Sequence, residues 1–335
     1  MQNEPKKTSF VGRVARGLLS LALVAGIGAA AYLWAPHLHD VYMASRYAPT
    51  QQIASVTQRI NLTDQGRTLL YASEPVIESG AQFNQNCESV ERTAAMLGCY
   101  HRQRIYLFNV QNPELDGAVE VTAAHEMLHA AYDRLNIFEK RRVDALITRE
   151  YEAVKDDPDI KALMAYYSKA EPGAELNELH SIIGTTIKSI SPDLESHYGQ
   201  YFTDRAVIVG LNAKYGSVFK DVQARADALS SSLNRQGAEL KTALAQYDAD
   251  RAKLEADIAA FNAQAERGAS GSRSAFEASR LALVTRVKDL DARRDTINTR
   301  VNDYNANVEE LRSLSIRVDE LNKSINGISS PSVGL

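Results

Sequence analysis

Three patterns of apolar and polar positions follow one another along the chain. Residues 17–36 form a run of 20 positions without a formal charge, long enough to cross a hydrocarbon layer of about 30 Å as a helix. Residues 51–215 mix short periodic runs with turn signals, which predicts an α+β domain that is mostly helical. Beyond residue 215 apolar residues recur every seven positions, as in a coiled coil. The pattern therefore predicts a membrane span, a mixed domain and a helical arm.

The flanks of the uncharged run predict its orientation. Lys6, Lys7, Arg13 and Arg16 precede it, and by the positive-inside rule the amino terminus stays in the cytosol while everything after the run is exported. A cleaved signal peptide is the alternative, because three consecutive alanines, 29–31, offer a small-residue cleavage site. In both cases the bulk of the chain is expected outside the cytoplasm, and a retained span would anchor it as a single-pass protein of the cell membrane.

The helical arm is expected to fold into an antiparallel coiled-coil hairpin. Heptads cover 219–261 and 276–325, and the glycine- and serine-rich segment 268–272 breaks the helix between them. Folding the chain there sets Phe261 beside Phe276. The sequence leaves open whether this hairpin is a passive stalk, a docking arm for a protein partner or a surface for self-association. Polar residues at further seam positions either fix the register or mark where another helix packs: Gln236, Asp250, Asp257, Arg280, Arg294, Ser315 and Asn322.

Composition and charge exclude several classes of protein. With 44% hydrophobic and 24% charged residues, the chain is neither a polytopic membrane protein nor wholly disordered. Its formal charge of −4 and the lack of a dense basic window argue against nucleic-acid binding. The two cysteines, Cys87 and Cys99, are expected to form one disulfide in an exported domain, with two separate buried thiols as the alternative.

An HExxH motif lies inside the helix predicted for residues 119–135. His125 and His129 project from one helical face about one turn apart, so both imidazoles can bind one tetrahedral Zn²⁺. Glu126 follows the first histidine and can take a proton from water that the ion activates. Two histidines satisfied by structural neighbours are the alternative, but a buried apolar helix has no packing reason to carry them beside a carboxylate. The motif therefore predicts a zinc hydrolase.

A third ligand is expected from the next predicted helix, 172–184. This segment starts at Pro-Gly, ends at glycine and carries Glu175, Glu178 and His180 among apolar positions. From the residues alone, all three are candidates. Asp133 lies one turn past the motif, too far along a straight helix to share the ion, so at most it orients a ligand.

The two motif helices resemble those of the thermolysin-like zinc peptidases, the gluzincins. In that family a strand precedes the HExxH helix, and a later helix with an NExxSD string supplies a glutamate ligand. Here residues 177–181 match the Asn, Glu and Ser of that string, whereas Ile182 replaces its aspartate. The resemblance implies that Glu178 is the third ligand and leaves Asp133 or Glu175 to orient a histidine in place of the missing aspartate. It covers well under half of the chain.

The chain also looks like membrane-anchored bacterial metallopeptidase homologues, a likeness that supports the class and adds no mechanism. In the gluzincins an extended substrate pairs with an edge strand, and 104–110 (RIYLFNV) is the strand predicted before the motif helix. An oxyanion is usually stabilised by a histidine or tyrosine from outside the zinc helices. For each candidate a packing role is the alternative: His180, His197, Tyr166, Tyr167 and Tyr198.

Together these features predict a membrane-anchored, extracytoplasmic zinc peptidase that acts on peptides or proteins. The alternatives are a membrane-tethered coiled-coil scaffold with a structural or vestigial zinc site, and hydrolysis of a non-peptide bond such as a cell-wall amide. Glu126 separates the enzyme from the scaffold, because a structural zinc site needs no carboxylate beside the metal. The expected segments are a cytosolic tail (1–16), an anchor (17–36), a linker (37–50), a zincin-like catalytic domain (51–215), a coiled-coil hairpin (216–326) and a disordered tail (327–335).

Overall fold

The computed structural model describes residues 10–87, 97–170, 172–268 and 271–325, without the side chains of residues 10–17, 25, 27, 29–36 and 170. The tail expected at 327–335 lies outside them. The fold is α+β and mostly helical, as predicted. Its helices and strands are α1 (Phe10–Arg46), α2 (Gln51–Ile60), α3 (Asp64–Ala72), β1 (Val76–Glu78), α4 (Gly80–Asn86), β2 (Gly98–His101), β3 (Arg104–Phe108), α5 (Ala118–Asp133), α6 (Ile137–Val154), α7 (Pro158–Ala170), α8 (Glu175–Thr186), α9 (Pro192–Tyr198), α10 (Arg205–Glu266) and α11 (Arg273–Ile325).

The three strands form one sheet in the order β1, β3, β2. β3 pairs in parallel with β1 and antiparallel with β2, so that Tyr106 lies opposite both Val76 and Cys99. The strand expected at 104–110 is therefore confirmed, but its expected role as the edge that receives a substrate is wrong. A strand that is apolar on both faces is typical of the centre of a sheet. The disulfide between Cys87 and Cys99 is confirmed and joins the end of α4 to β2.

Contacts divide the described chain into two compact units, Phe219–Leu321 and the rest. In the larger unit α5 is central and contacts α2, α3, α8, β2 and β3. The sequence position of Gly184 suggested that it ends α8, but this helix continues to Thr186. A Cβ there would lie 2.5 Å from Leu128 Cδ1 and 2.8 Å from Tyr198 Cε1. Glycine at this position therefore allows α8 to pack closely against α5 and α9.

α1 includes most of the segment expected as a linker, 37–50. Asp40 is buried, and its two carboxylate oxygens accept hydrogen bonds from Arg134 Nε at 2.9 and 2.8 Å. Much of the expected span, 17–36, lies outside the residues whose side chains are described. Among the described residues, no helix is both long enough and apolar enough to cross a membrane.

In the unit Phe219–Leu321, α10 and α11 run antiparallel along the heptad seam. The rings of Phe261 and Phe276 stack with their centroids 4.9 Å apart, which confirms the register predicted from the heptads. Arg280 and Arg294 were expected in the seam but are exposed, and each pairs with an acidic residue of its own helix. Other polar positions bond across the seam and support the register: Gln236 with Asn307, Asp250 with Arg293, and Asp257 with Arg286.

Candidate metal centre

Three side chains from α5 and α8 converge in the larger unit. The imidazoles of His125 and His129 and the carboxylate of Glu178 each offer a ligand atom, and these atoms all lie within 4.8 Å of one another. Glu178 Oε1 is 3.5 Å from His129 Nε2, and Glu178 Oε2 is 3.8 Å from His125 Nε2. Ligands held about 2.1 Å from one tetrahedral ion are themselves about 3.4 Å apart. The spacing therefore fits a divalent metal ion.

The surroundings of the Glu178 carboxylate also fit a bound metal ion. Glu178 is only 4% exposed, and its Oε2 has no hydrogen-bond partner among the described residues. Burial raises the pKa of Glu178, but the imidazoles of His129 and His125 outweigh burial and leave the pKa below its ordinary value. A buried anionic oxygen without a donor is unfavourable unless a cation compensates it. A metal ion between the three side chains would provide that cation.

Asn177 orients one of the two histidines. Its Oδ1 lies 3.0 Å from His129 Nδ1, and because an amide oxygen only accepts, Nδ1 donates and Nε2 is left with its lone pair for a metal. Asn177 thus holds His129 in the way expected of Asp133 or Glu175. Asp133 is exposed at the end of α5, and Glu175 is half-exposed in the first turn of α8. The sequence signal for Asn177 was its place directly before Glu178 in the string that resembles the gluzincin motif.

We expect Asn177→Ala to weaken metal binding by about 10- to 100-fold, because a ligating histidine loses the group that fixes its tautomer and ring orientation. Asn177→Asp keeps an acceptor at the same place and should bind metal at least as tightly as the parent. Competition with a chromophoric chelator measures both affinities. Equal affinities of the alanine variant and the parent would contradict an orienting role for Asn177.

Glu126 lies in the helix directly after His125 and is 6% exposed. A Cβ built on Gly98 would be 2.9 Å from both Cγ and Oε1 of Glu126 and 2.4 Å from Thr122 Cγ2. Strand β2 therefore passes so close to the carboxylate that only glycine fits. Gly98 was not predicted as a site residue, although a glycine inside a strand is a recognised sign of close approach.

Gly98→Ala is predicted to displace Glu126. If Glu126 acts as the base of a hydrolase, as the motif predicts, the rate of cleavage should fall by about 100-fold, the cost expected for a misplacement of about 1 Å. The metal ligands are not touched by this change, so metal content should stay near that of the parent. Gly210→Ala is the matched control, because a Cβ there meets nothing within 4 Å. Equal cleavage by the two variants would show that the position of Glu126 does not depend on Gly98.

His180 was an alternative third ligand and a candidate for transition-state stabilisation, but it does not belong to the group formed by His125, His129 and Glu178. It follows Glu178 by two residues, about 200° around α8, and is fully buried with its Nε2 2.8 Å from His197 Nε2. The hydroxyl of Tyr198 donates to the backbone carbonyl of His180 at 2.8 Å. These three residues therefore hold α8 against α9. Tyr166 and Tyr167 are half-buried on α7, and their catalytic role stays a prediction.

The histidine pair predicts a loss of stability in acid. Burial lowers the pKa of His197 from 6.5 to about 4, and burial, with His197 close by, lowers the pKa of His180 well below its ordinary value. Between pH 6.5 and 4 the unfolded chain binds a proton at His197 that the folded chain does not. His197 alone should therefore lower the free energy of unfolding by up to about 3 kcal/mol across this window, and the depressed pKa of His180 adds to the loss as the pH falls.

Hydrogen exchange of the α8 and α9 amides, corrected for the intrinsic effect of pH on exchange, measures this loss. His197→Gln removes one of the two titrating histidines and should show a smaller change between pH 7 and 4.5 than the parent. An opening free energy that is the same at both pH values in the parent would contradict the prediction.

No family model, no curated protein and no solved structure gives a significant match to the chain. The case for a metal centre therefore depends on the convergence of His125, His129 and Glu178 and on the oxygen of Glu178 that lacks a partner.

Proposed function

We propose that the chain is a zinc-dependent peptidase. One observation carries the proposal: a buried carboxylate, Glu126, follows directly on one ligand of the group formed by His125, His129 and Glu178. A purely structural metal site needs no base, and removing a carboxylate from water has a cost. Proton transfer to and from a reacting water is the function that best accounts for Glu126 at this position.

In this proposal His125, His129 and Glu178 hold the ion. A bound Zn²⁺ would supply a Lewis acid that lowers the pKa of water and polarises the scissile carbonyl. Glu126 takes the proton from the attacking water and passes it to the leaving amine, so no covalent link to the enzyme is needed. Asn177 keeps His129 in the tautomer that leaves Nε2 available for the ion.

Strand β2 is the better candidate for substrate pairing. It lies at an edge of the described sheet, whereas β3 is at the centre, and its residue Gly98 contacts Glu126. An extended peptide that adds to β2 would gain main-chain hydrogen bonds and bring a peptide bond near the proposed base. This shifts the proposed binding edge from 104–110 to the neighbouring strand.

The proposed location is the outer side of the cell membrane, with residues 17–36 as the anchor. The basic residues before that run support this orientation. The disulfide between Cys87 and Cys99 supports it independently, because disulfides persist mainly in oxidising compartments. For the hairpin the proposal keeps three alternative roles: a stalk, an arm that binds a protein partner, or a surface for self-association.

Metal analysis combined with peptide cleavage tests the proposed function. The purified full chain, stripped with a chelator and refilled with Zn²⁺, should bind about one equivalent. It should cleave members of a broad peptide library, and chelation should abolish cleavage until Zn²⁺ is restored. One bound equivalent without any cleavage would favour a tethered scaffold or hydrolysis of a non-peptide bond. No binding would overturn the metal centre itself.

A further inference from the structure

The first turn of α6 exposes two large apolar side chains. Ile137 is 62% exposed and Phe138 is 76% exposed. This turn is fixed in place, because Asn136 and Glu139 form a capping box. In it each side chain accepts a hydrogen bond from the backbone N–H of the other residue. Exposure of both side chains is therefore a property of the ordered fold, and two adjacent exposed apolar side chains make this turn a candidate for contact with another molecule.

Basic side chains share the face of these apolar residues. At about 100° per residue, Arg141 and Arg142 fall within the same arc of about 140° as Ile137 and Phe138, and both arginines are exposed. Val143 on the opposite side of α6 is fully buried. Apolar side chains bordered by arginines are typical of a surface that lies in the interfacial layer of a membrane with anionic lipids.

The position of this face relative to α1 identifies its occupant. Arg134, at the start of the turn that leads into α6, bonds Asp40 of α1 and the hydroxyl of Tyr100. Asp40 lies only four residues beyond the proposed anchor, 17–36. The turn between α5 and α6 is thereby held at the end of α1 that would emerge from the bilayer. The exposed apolar pair begins three residues after Arg134, so it lies close to that end of α1.

We propose that Ile137, Phe138, Arg141 and Arg142 form a docking face for the membrane that holds the anchor. The two apolar side chains enter the interfacial layer, and the two guanidinium groups bind anionic phospholipid headgroups. The inference rests on the anchoring part of the proposed function, and it is independent of the metal centre. Docking restricts the rotation that a single tethering helix would allow and sets the direction in which the metal centre faces.

A fluorescent probe at the docking face tests the inference. The full chain, with Phe138→Cys labelled by an environment-sensitive dye, is reconstituted into vesicles of phosphatidylcholine with phosphatidylglycerol. Emission should shift to the blue, rise severalfold relative to detergent solution and be quenched by brominated lipid. The matched control is Gln111→Cys, an exposed residue before the start of α5, whereas the docking face follows the end of this helix, which is about 24 Å long. The control probe should remain in water.

A second comparison tests the arginines. Arg141→Glu with Arg142→Glu in the labelled chain should reduce the blue shift, and vesicles of phosphatidylcholine alone should reduce it for the parent. A shift that depends neither on the arginines nor on anionic lipid would overturn the headgroup contact.

The outcomes separate the docking face from the anchor. A chain that is washed off the vesicles at high pH would overturn both. A chain that stays bound while the probe at residue 138 remains in water would overturn the docking face and leave the anchor standing. The emission of the probe could instead shift to the blue in detergent as the protein concentration rises, and show no shift in vesicles. That result would show that a second copy of the chain covers this face.

Discussion

Replacement of Glu126 by glutamine is expected to abolish peptide cleavage while the metal stays bound. Glutamine has nearly the same shape, so it keeps the packing against Gly98, but its amide cannot accept the proton of the attacking water. Loss of a general base lowers kcat/KM by about 10²- to 10⁴-fold. Cleavage rates of a substrate from the peptide library and zinc content by mass spectrometry, measured on the same preparation, test both parts of the expectation.

Glu120 offers a matched control on the same helix. Its exposed fraction, 6%, equals that of Glu126, and its carboxylate bonds Arg59 instead of contacting β2. Glu120→Gln should therefore retain cleavage. Loss in both variants would indicate a general effect of removing a buried carboxylate from α5. Undiminished cleavage by Glu126→Gln would show that another group is the base, and the proposed mechanism would be wrong at its central residue.

Local geometry explains which parts of the site could be predicted from the sequence. The spacing of His125 and His129 follows from the helical repeat. Glu178 was predicted because residues 177–181 resemble the sequence string that carries the glutamate ligand in the gluzincins. The hairpin register was predictable because heptads are a regular pattern. The disulfide was predictable because the chain has only two cysteines, both in a domain expected to be exported. Asn177 was visible as a residue of that string, but its contact with His129 depends on how α8 crosses α5.

The errors concern tertiary packing. β1 has only three residues, Val76–Glu78, too few for a period-two pattern, so the sequence did not reveal this second neighbour of β3. The apolar residues on both faces of β3 were the sign of its central position. His180 looked available for a metal, but its Nε2 is taken up by another histidine and its side chain is fully buried. That partner, His197, is 17 residues away on another helix. Gly184 resembled a helix end, whereas its function is the close approach of two helices.

Glu178→Ala is expected to have the largest effect on metal binding. It removes one of three ligands, so the loss of zinc affinity should exceed about 100-fold, the upper cost of removing a residue that only orients a ligand. Glu175→Ala, one turn earlier on α8, is the matched control and should leave affinity unchanged. Competition titration gives both values. Unchanged occupancy in Glu178→Ala would exclude Glu178 as a ligand.

The response of stability to metal distinguishes a ligand from a structural carboxylate. Zn²⁺ stabilises the folded parent by mass action, and Glu178→Ala should lose this rise in Tm, because the ion loses one of its proposed ligands. Without metal, the variant leaves His125 and His129 without their carboxylate neighbour, so its Tm should be lower than that of the parent whichever role Glu178 has. If Glu178 were only part of a structural ion pair with the histidines, adding Zn²⁺ would raise the Tm of both proteins equally. The metal-dependent part of the Tm therefore separates the two roles.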